Sequence, residues 1–144
     1  MGVVSGLTLD TSFDGLCRLY WRTGVGIALG LRHILERMRE YGYMPDTLNV
    51  AGGHVKNPML MELYSDVTGC KVVVPKMNDA VLLGTAIAAS VACGLHEDLA
   101  AAGAAMYPGG DVRLPDPGKT ACYERDYQRF LAMHRHRAEL DAMG

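Results

Sequence analysis

The sequence predicts an α/β fold, a layer of short strands alternating with helices, and two patterns carry that prediction. Runs rich in β-branched residues at Thr47 to Ala51 and Lys71 to Val74 each lead into a stretch with helical spacing. Gly, Pro, Asn and Asp mark the junctions between them. Strands separated by a helix pair in parallel, because the crossover returns the chain to the same end of the sheet. The chain has 144 residues, 49% hydrophobic and 21% charged, which is the balance of one compact domain.

A short apolar run, Val3 to Leu9, comes first. Asp10, Thr11 and Ser12 are natural caps, and a long amphipathic helix follows until Tyr41 and Gly42, with Pro45 preventing its continuation. Its expected buried stripe is Leu16, Tyr20, Thr23, Ile27, Leu31, Ile34 and Met38, which recur every three or four residues. Gly24, Gly26 and Gly30 each cost about 1 kcal/mol relative to Ala inside a helix. They imply close approach, either by another element or by a ligand against bare backbone.

The strand Thr47 to Ala51 runs into Gly52, Gly53 and His54, and a second helix spans Pro58 to Thr68. Asn57 suits its N-cap, Pro58 its first position and Gly69 its C-terminal stop. After the strand Lys71 to Val74, Pro75 ends the pairing, and Asn78 or Asp79 can cap a helix from Ala80 to Cys93 that stops at Gly94. The uncharged stretch Ala80 to Leu95 is shorter than the roughly 20 apolar residues of a membrane span, and its small residues read as a buried helix. Glu97 to Met106 suits a short helix, and Tyr107 to Gly118, with three prolines and three glycines, reads as a surface connection. A final helix places Tyr123, Tyr127, Phe130 and His134 on one face, to dock onto the domain.

The segment with chemical content is Leu48 to Met61, LNVAGGHVKNPMLM. Two glycines after a strand let the backbone turn sharply and let a ligand approach without meeting a Cβ. The helix beyond them is expected to offer free N–H groups and a positive dipole end. Its spacing is neither a Walker A loop nor GxGxxG, so a plain structural turn stands beside a nucleotide cradle. Lys56 reads either as a point charge near phosphates or as an ordinary exposed lysine.

AGGHVKNPMLMELYSDVTGCKVVVP followed by NDAVLLGTAIAASVACG resembles the C-terminal domain of the FGGY family of carbohydrate kinases. SGLTLDTS, GIALGLRHIL and the tyrosine-rich final helix extend the resemblance over nearly all of residues 1–144. The resemblance implies part of an actin-like ATPase (ribonuclease H-like) domain and an ATP site at Gly52, Gly53 and Asn57, with Gly52 making the turn. It implies ATP and Mg2+ as the cofactors, and transfer of the γ-phosphoryl group to a sugar hydroxyl. SGLTLDTS, Lys56–Asn57–Pro58 and DVTGC look most like the pentulose kinases acting on ribulose.

Two local departures stand out. Asp79 takes the place where the family often has Glu, and LYWRTGV, around Leu19 to Val25, replaces the family's usual histidine and glutamate pattern. No residue aligns with the aspartate that activates the sugar hydroxyl, so no catalytic residue is assigned. The resemblance covers the ATP half, without the N-terminal sugar-binding domain. Since phosphoryl transfer relies on positioning and charge neutralisation, the isolated chain is expected to be inactive.

Sixteen acidic against fourteen basic side chains give no basic field, so neither nucleic acid nor an anionic membrane is an expected partner. Cys17, Cys70, Cys93 and Cys122 form no CxxC pair, the usage of reduced thiols in a cytoplasmic protein. Met1 to Asp10 lacks the charged start and apolar run of a signal peptide. His134 and His136 with Cys122 lack ligand spacing, so no metal ligand is assigned. Ser90, His96 and Asp98 lack the glycine elbow of a hydrolase. The sugar is expected as a partner only alongside the missing half. The alternative from another class is a non-catalytic fragment that forms a homo-oligomer through surfaces exposed by truncation.

Overall fold

A computed structural model describes residues 3–77 and 79–143. The chain runs α1 (Phe13–Glu40), β1 (Thr47–Asn49), a 3-10 turn (Gly53–Lys56), α2 (Pro58–Thr68), β2 (Lys71–Pro75), α3 (Ala80–Ala92), α4 (Leu99–Met106), β3 (Gly110–Arg113) and α5 (Pro117–Asp141). The boundaries have local causes. Ser12 caps α1 by accepting from Gly15 N at 3.1 Å, and Gly69 ends α2 in the left-handed region at φ +71°. Asp79 caps α3 by accepting from the N–H groups of Val81 and Leu82 at 3.0 and 3.1 Å, which the shorter carboxylate reaches. Asn78, the other cap considered, lies outside the described residues.

The strands form one sheet in the order β1-β2-β3. β1 and β2 are parallel, with Thr47 opposite Lys71 and Asn49 opposite Val73, as strands joined through α2 should be. Pairing continues one residue past β1, where Val50 N donates to Val73 O at 2.9 Å. β3 is antiparallel to β2, with Val73 opposite Val112. It lies inside the expected surface connection. Prolines at 108 and 115 bracket it, and Gly110–Arg113 has only Val112 as a β-branched residue, so its strand state comes from the open edge of β2.

The core lies where α2 is enclosed by α1, α5 and the sheet. Val25, Ala28 and Leu29 of α1 meet Leu60, Met61, Leu63, Tyr64 and Val67 of α2, with Val72 of β2 and Tyr127 of α5 closing the cluster. Tyr123, Phe130 and Leu131 pack against it from α5, so Tyr123, Tyr127 and Phe130 of the expected docking face are used, whereas His134 stays exposed beside His33 and Phe130.

Two expectations are overturned. On α1 the buried residues are Gly24, Val25, Ala28, Leu29 and Leu35, while Leu16, Tyr20, Ile27, Ile34 and Met38 are exposed. Of that stripe, Leu31 packs against the core. The face in use is turned by about one residue, or roughly 100°. The physical reason is close approach: a Cβ on Gly24 would lie 3.1 Å from Leu63 Cδ1 and from Met59 Cε, so glycine and alanine let α1 sit tightly on α2. Gly26 and Gly30 have nothing within 4 Å of a built Cβ, so packing accounts for Gly24 alone. The second correction concerns Ala80 to Leu95. Ser90 is the buried residue of α3, whereas Val81 and Leu82 are 78% and 66% exposed. The main partner of α3 is α4, so its small residues are not used against the sheet.

Candidate functional site

Gly52, Gly53 and Asn57 lie together on the link between β1 and α2. Gly52 has φ +85° and ψ −156°, a conformation essentially confined to glycine, so the sharp turn expected there is made. Gly53 opens the 3-10 turn with no atom within 4 Å of a built Cβ. Its side-chain-free surface faces open space. Lys56 is exposed at the far end of the same turn.

Asn57 closes the loop. Its Oδ1 accepts from Met59 N at 3.1 Å and Leu60 N at 3.4 Å, and its backbone carbonyl accepts from Met61 N at 3.3 Å. Pro58 has no N–H. The first turn of α2 is therefore satisfied by Asn57 itself, which corrects the expectation of free N–H groups at that helix end. Among the described residues the N–H groups of Gly53 and His54 donate to no backbone carbonyl, so the available donors sit on the 3-10 turn. The helix still contributes its dipole, and its first turn carries no acidic residue.

Two tyrosines hold this loop. Asn57 Nδ2 donates to the hydroxyl of Tyr20 on α1 at 2.9 Å. At the other end the Tyr64 hydroxyl is 2.7 Å from His54 Nδ1. Burial pushes the Tyr64 phenol above its ordinary value of 10.0, so it stays protonated and donates to Nδ1 when the imidazole carries its proton on Nε2. Neither tyrosine was singled out for the site in the sequence. Tyr20 is 37 positions from Asn57, and no local spacing could have linked them.

Behind the loop, the buried Asp66 fastens α2 to α5. Its Oδ1 accepts from Asp116 N at 3.0 Å, and its Oδ2 lies 3.4 Å from Lys119 Nζ. The Asp66 charge, then that of Glu62, raises the Lys119 pKa above its usual value. Ser65 Oγ donates to Cys70 O at 2.9 Å and Cys70 N donates to Thr68 Oγ1 at 3.2 Å, tying the α2 terminus to the start of β2. Among the described residues no group of three His, Cys, Asp or Glu is placed to hold a metal ion, and the four cysteines are unpaired. Among the described residues no helix is long and apolar enough to cross a membrane.

Parallel strands flanked by helices, with a glycine turn leading into a capped helix, define the class as an α/β domain whose open loop lies at the carboxyl end of a strand. The chain belongs to the FGGY family of carbohydrate kinases: residues 1–93 match that family's C-terminal domain. It is 38% identical over 142 residues to an FGGY carbohydrate kinase domain-containing protein of Xenopus laevis, covering 99% of this chain and 26% of that protein. To a ribulokinase of Mycolicibacterium smegmatis it is 35% identical over 136 residues, covering 92% of this chain and 23% of the other. A solved xylulose kinase from Lactobacillus acidophilus superposes with a TM-score of 0.77 at 22% identity, covering 93% of this chain and 26% of that one. FGGY kinases have the actin-like ATPase fold, and this chain carries part of it. It spans about a quarter of the length of these relatives.

Proposed function

We propose that this chain is the ATP-binding C-terminal portion of a carbohydrate kinase, and that ATP lies against Gly52, Gly53 and Asn57. The observation that carries the reading is the coincidence of the family match with the geometry of this loop. Its turn is strained at Gly52, uncovered at Gly53 and provided with N–H groups on Gly53 and His54 that donate to no backbone carbonyl among the described residues. In this reading the Gly53 N–H donates to a nucleotide oxygen, and the remaining Asn57 Nδ2 proton reaches the same ligand. Gly52, Gly53 and Asn57 offer no carboxylate, so Mg2+ would be carried mainly by the nucleotide phosphates, its usual ligands in kinases. The bound ion would neutralise charge on the transferring phosphoryl group.

The acceptor we propose is the hydroxyl of a pentulose such as ribulose. The ribulokinase similarity supports this. Half of a two-domain cleft cannot position both reactants, so the isolated chain is proposed to be inactive. We place the protein in the cytoplasm, where four unpaired thiols persist.

Titration calorimetry of Mg-ATP into wild type, Asn57→Ala and Asn57→Asp tests the site. Asp retains the cap, so a loss confined to Ala would trace to the helix start. Equal affinity in all three proteins would remove Asn57 from the site. For the reaction, the chain joined to a sugar-binding half should consume ATP in the presence of ribulose, and absence of phosphorylation of every pentulose would reject that substrate class.

A second reading is favoured by one observation, the exposed stripe of Leu16, Tyr20, Ile27, Ile34 and Met38 along a helix of 28 residues. Such a face suits self-association of a non-catalytic fragment. Light scattering after size exclusion decides it: a monomer across a concentration series rejects it.

A further inference from the structure

We propose that Tyr20 is a positioning residue for the nucleotide, acting through Asn57; this rests on the reading of the loop as an ATP site. The Asn57 amide has four hydrogen-bonding positions. Met59 N and Leu60 N occupy both lone pairs of Oδ1, and the Tyr20 hydroxyl takes one of the two Nδ2 protons. One N–H remains for a ligand, and its direction is set because both ends of the amide are held.

Tyr20 reaches Asn57 because of the glycine one turn further along α1. Gly24 is the position where a Cβ would press on Met59 and Leu63 at 3.1 Å and on Leu60 at 3.6 Å. Residues four apart share a helix face, so the close approach at Gly24 carries Tyr20 over the start of α2. Tyr20 is itself 60% exposed, so its ring adds little to the core. Its hydroxyl is the part with a specific contact. The LYWRTGV segment, where the chain departs from the family pattern, thereby supplies a support for the loop.

The experiment is a double-mutant cycle read by Mg-ATP calorimetry, with thermal unfolding alongside. Tyr20→Phe should weaken ATP binding about fivefold, the factor for one modest hydrogen bond, while leaving the melting temperature nearly unchanged. In the Asn57→Asp background, where the cap is retained but no Nδ2 exists to donate, Tyr20→Phe should change ATP affinity by less than about twofold. Of the two Asn57 side-chain amide protons, followed by NMR, the one directed at Tyr20 should shift most in Tyr20→Phe. Wild-type binding with unchanged affinity in Tyr20→Phe overturns this proposal alone. An equal loss in both backgrounds also overturns it, because the effect would not pass through Asn57. Absence of ATP binding by wild type overturns the nucleotide reading and this proposal together.

Discussion

The guanidinium of Arg32 lies 4.2 Å from the ring centroid of Tyr127, which places a charge of α1 against the aromatic face of α5. Arg32 Nη2 also donates to Glu124 Oε2 at 2.5 Å, and its side chain is 13% exposed against 52% for Glu124. The sheltered partner is the one that matters. Arg32→Ala is expected to destabilise by about 2 kcal/mol through lost stacking and packing. Glu124→Gln should cost less than about 1 kcal/mol, as for exposed ion pairs. Urea unfolding of the two variants checks the order, and an equal or larger loss in Glu124→Gln would reject it.

The same pair has a pH signature. Hydrogen bonds from Gln128 and then Arg32 hold the Glu124 carboxyl below its ordinary value of 4.5. A group with a depressed folded pKa contributes stability above its unfolded value and loses it as pH falls through the folded one. From about pH 5 downward, wild type should therefore lose stability more steeply than Glu124→Gln. Parallel curves would show that the carboxylate is not coupled to folding.

The two loop glycines should respond differently. Gly52→Ala forces a side chain into φ +85°, although a Cβ there meets nothing within 4 Å. Its cost of about 1–3 kcal/mol is conformational. Gly53 has neither a positive φ nor a neighbour, so Gly53→Ala should change stability by less than about 1 kcal/mol and act on ATP affinity instead. Chemical denaturation separates the two, and similar losses in both would contradict the turn geometry.

The glycines of α1 should also divide. Gly26→Ala and Gly30→Ala place a methyl in open space, and each is expected to stabilise by about 0.5–1 kcal/mol through helix propensity. Gly24→Val drives a branched side chain into Leu63 and Met59 and should destabilise by about 1–3 kcal/mol. By the proposal above it also separates Tyr20 from Asn57. A stabilised Gly24→Val protein would show that α1 does not sit closely on α2.

Helices α2 and α3 were legible because their signals are local. Asn57–Pro58 starts α2 and Gly69 stops it, and Asp79 begins α3. The parallel pairing of β1 with β2 followed from the helix between them. β3 was not legible, since Gly110 to Arg113 has little strand character and pairs because β2 offers an edge. The stripe of α1 was misread for a related reason. Periodicity weighs large apolar residues, but packing chose the side where Gly24 and Ala28 let two backbones approach.

The residues alone determined the family, the glycine turn and the cap at Asn57, because each is written in neighbouring positions. Tertiary structure decided what Asn57 has left to offer a ligand, since its amide is shared between the start of α2 and a tyrosine 37 residues away. It also decided which donors are free. Capping satisfies the helix end, while in the turn before it the N–H groups of Gly53 and His54 donate to no backbone carbonyl among the described residues. Hydrogen-bond capacity at a site is a sum over all partners in space, and partners brought together by packing leave no mark in sequence spacing.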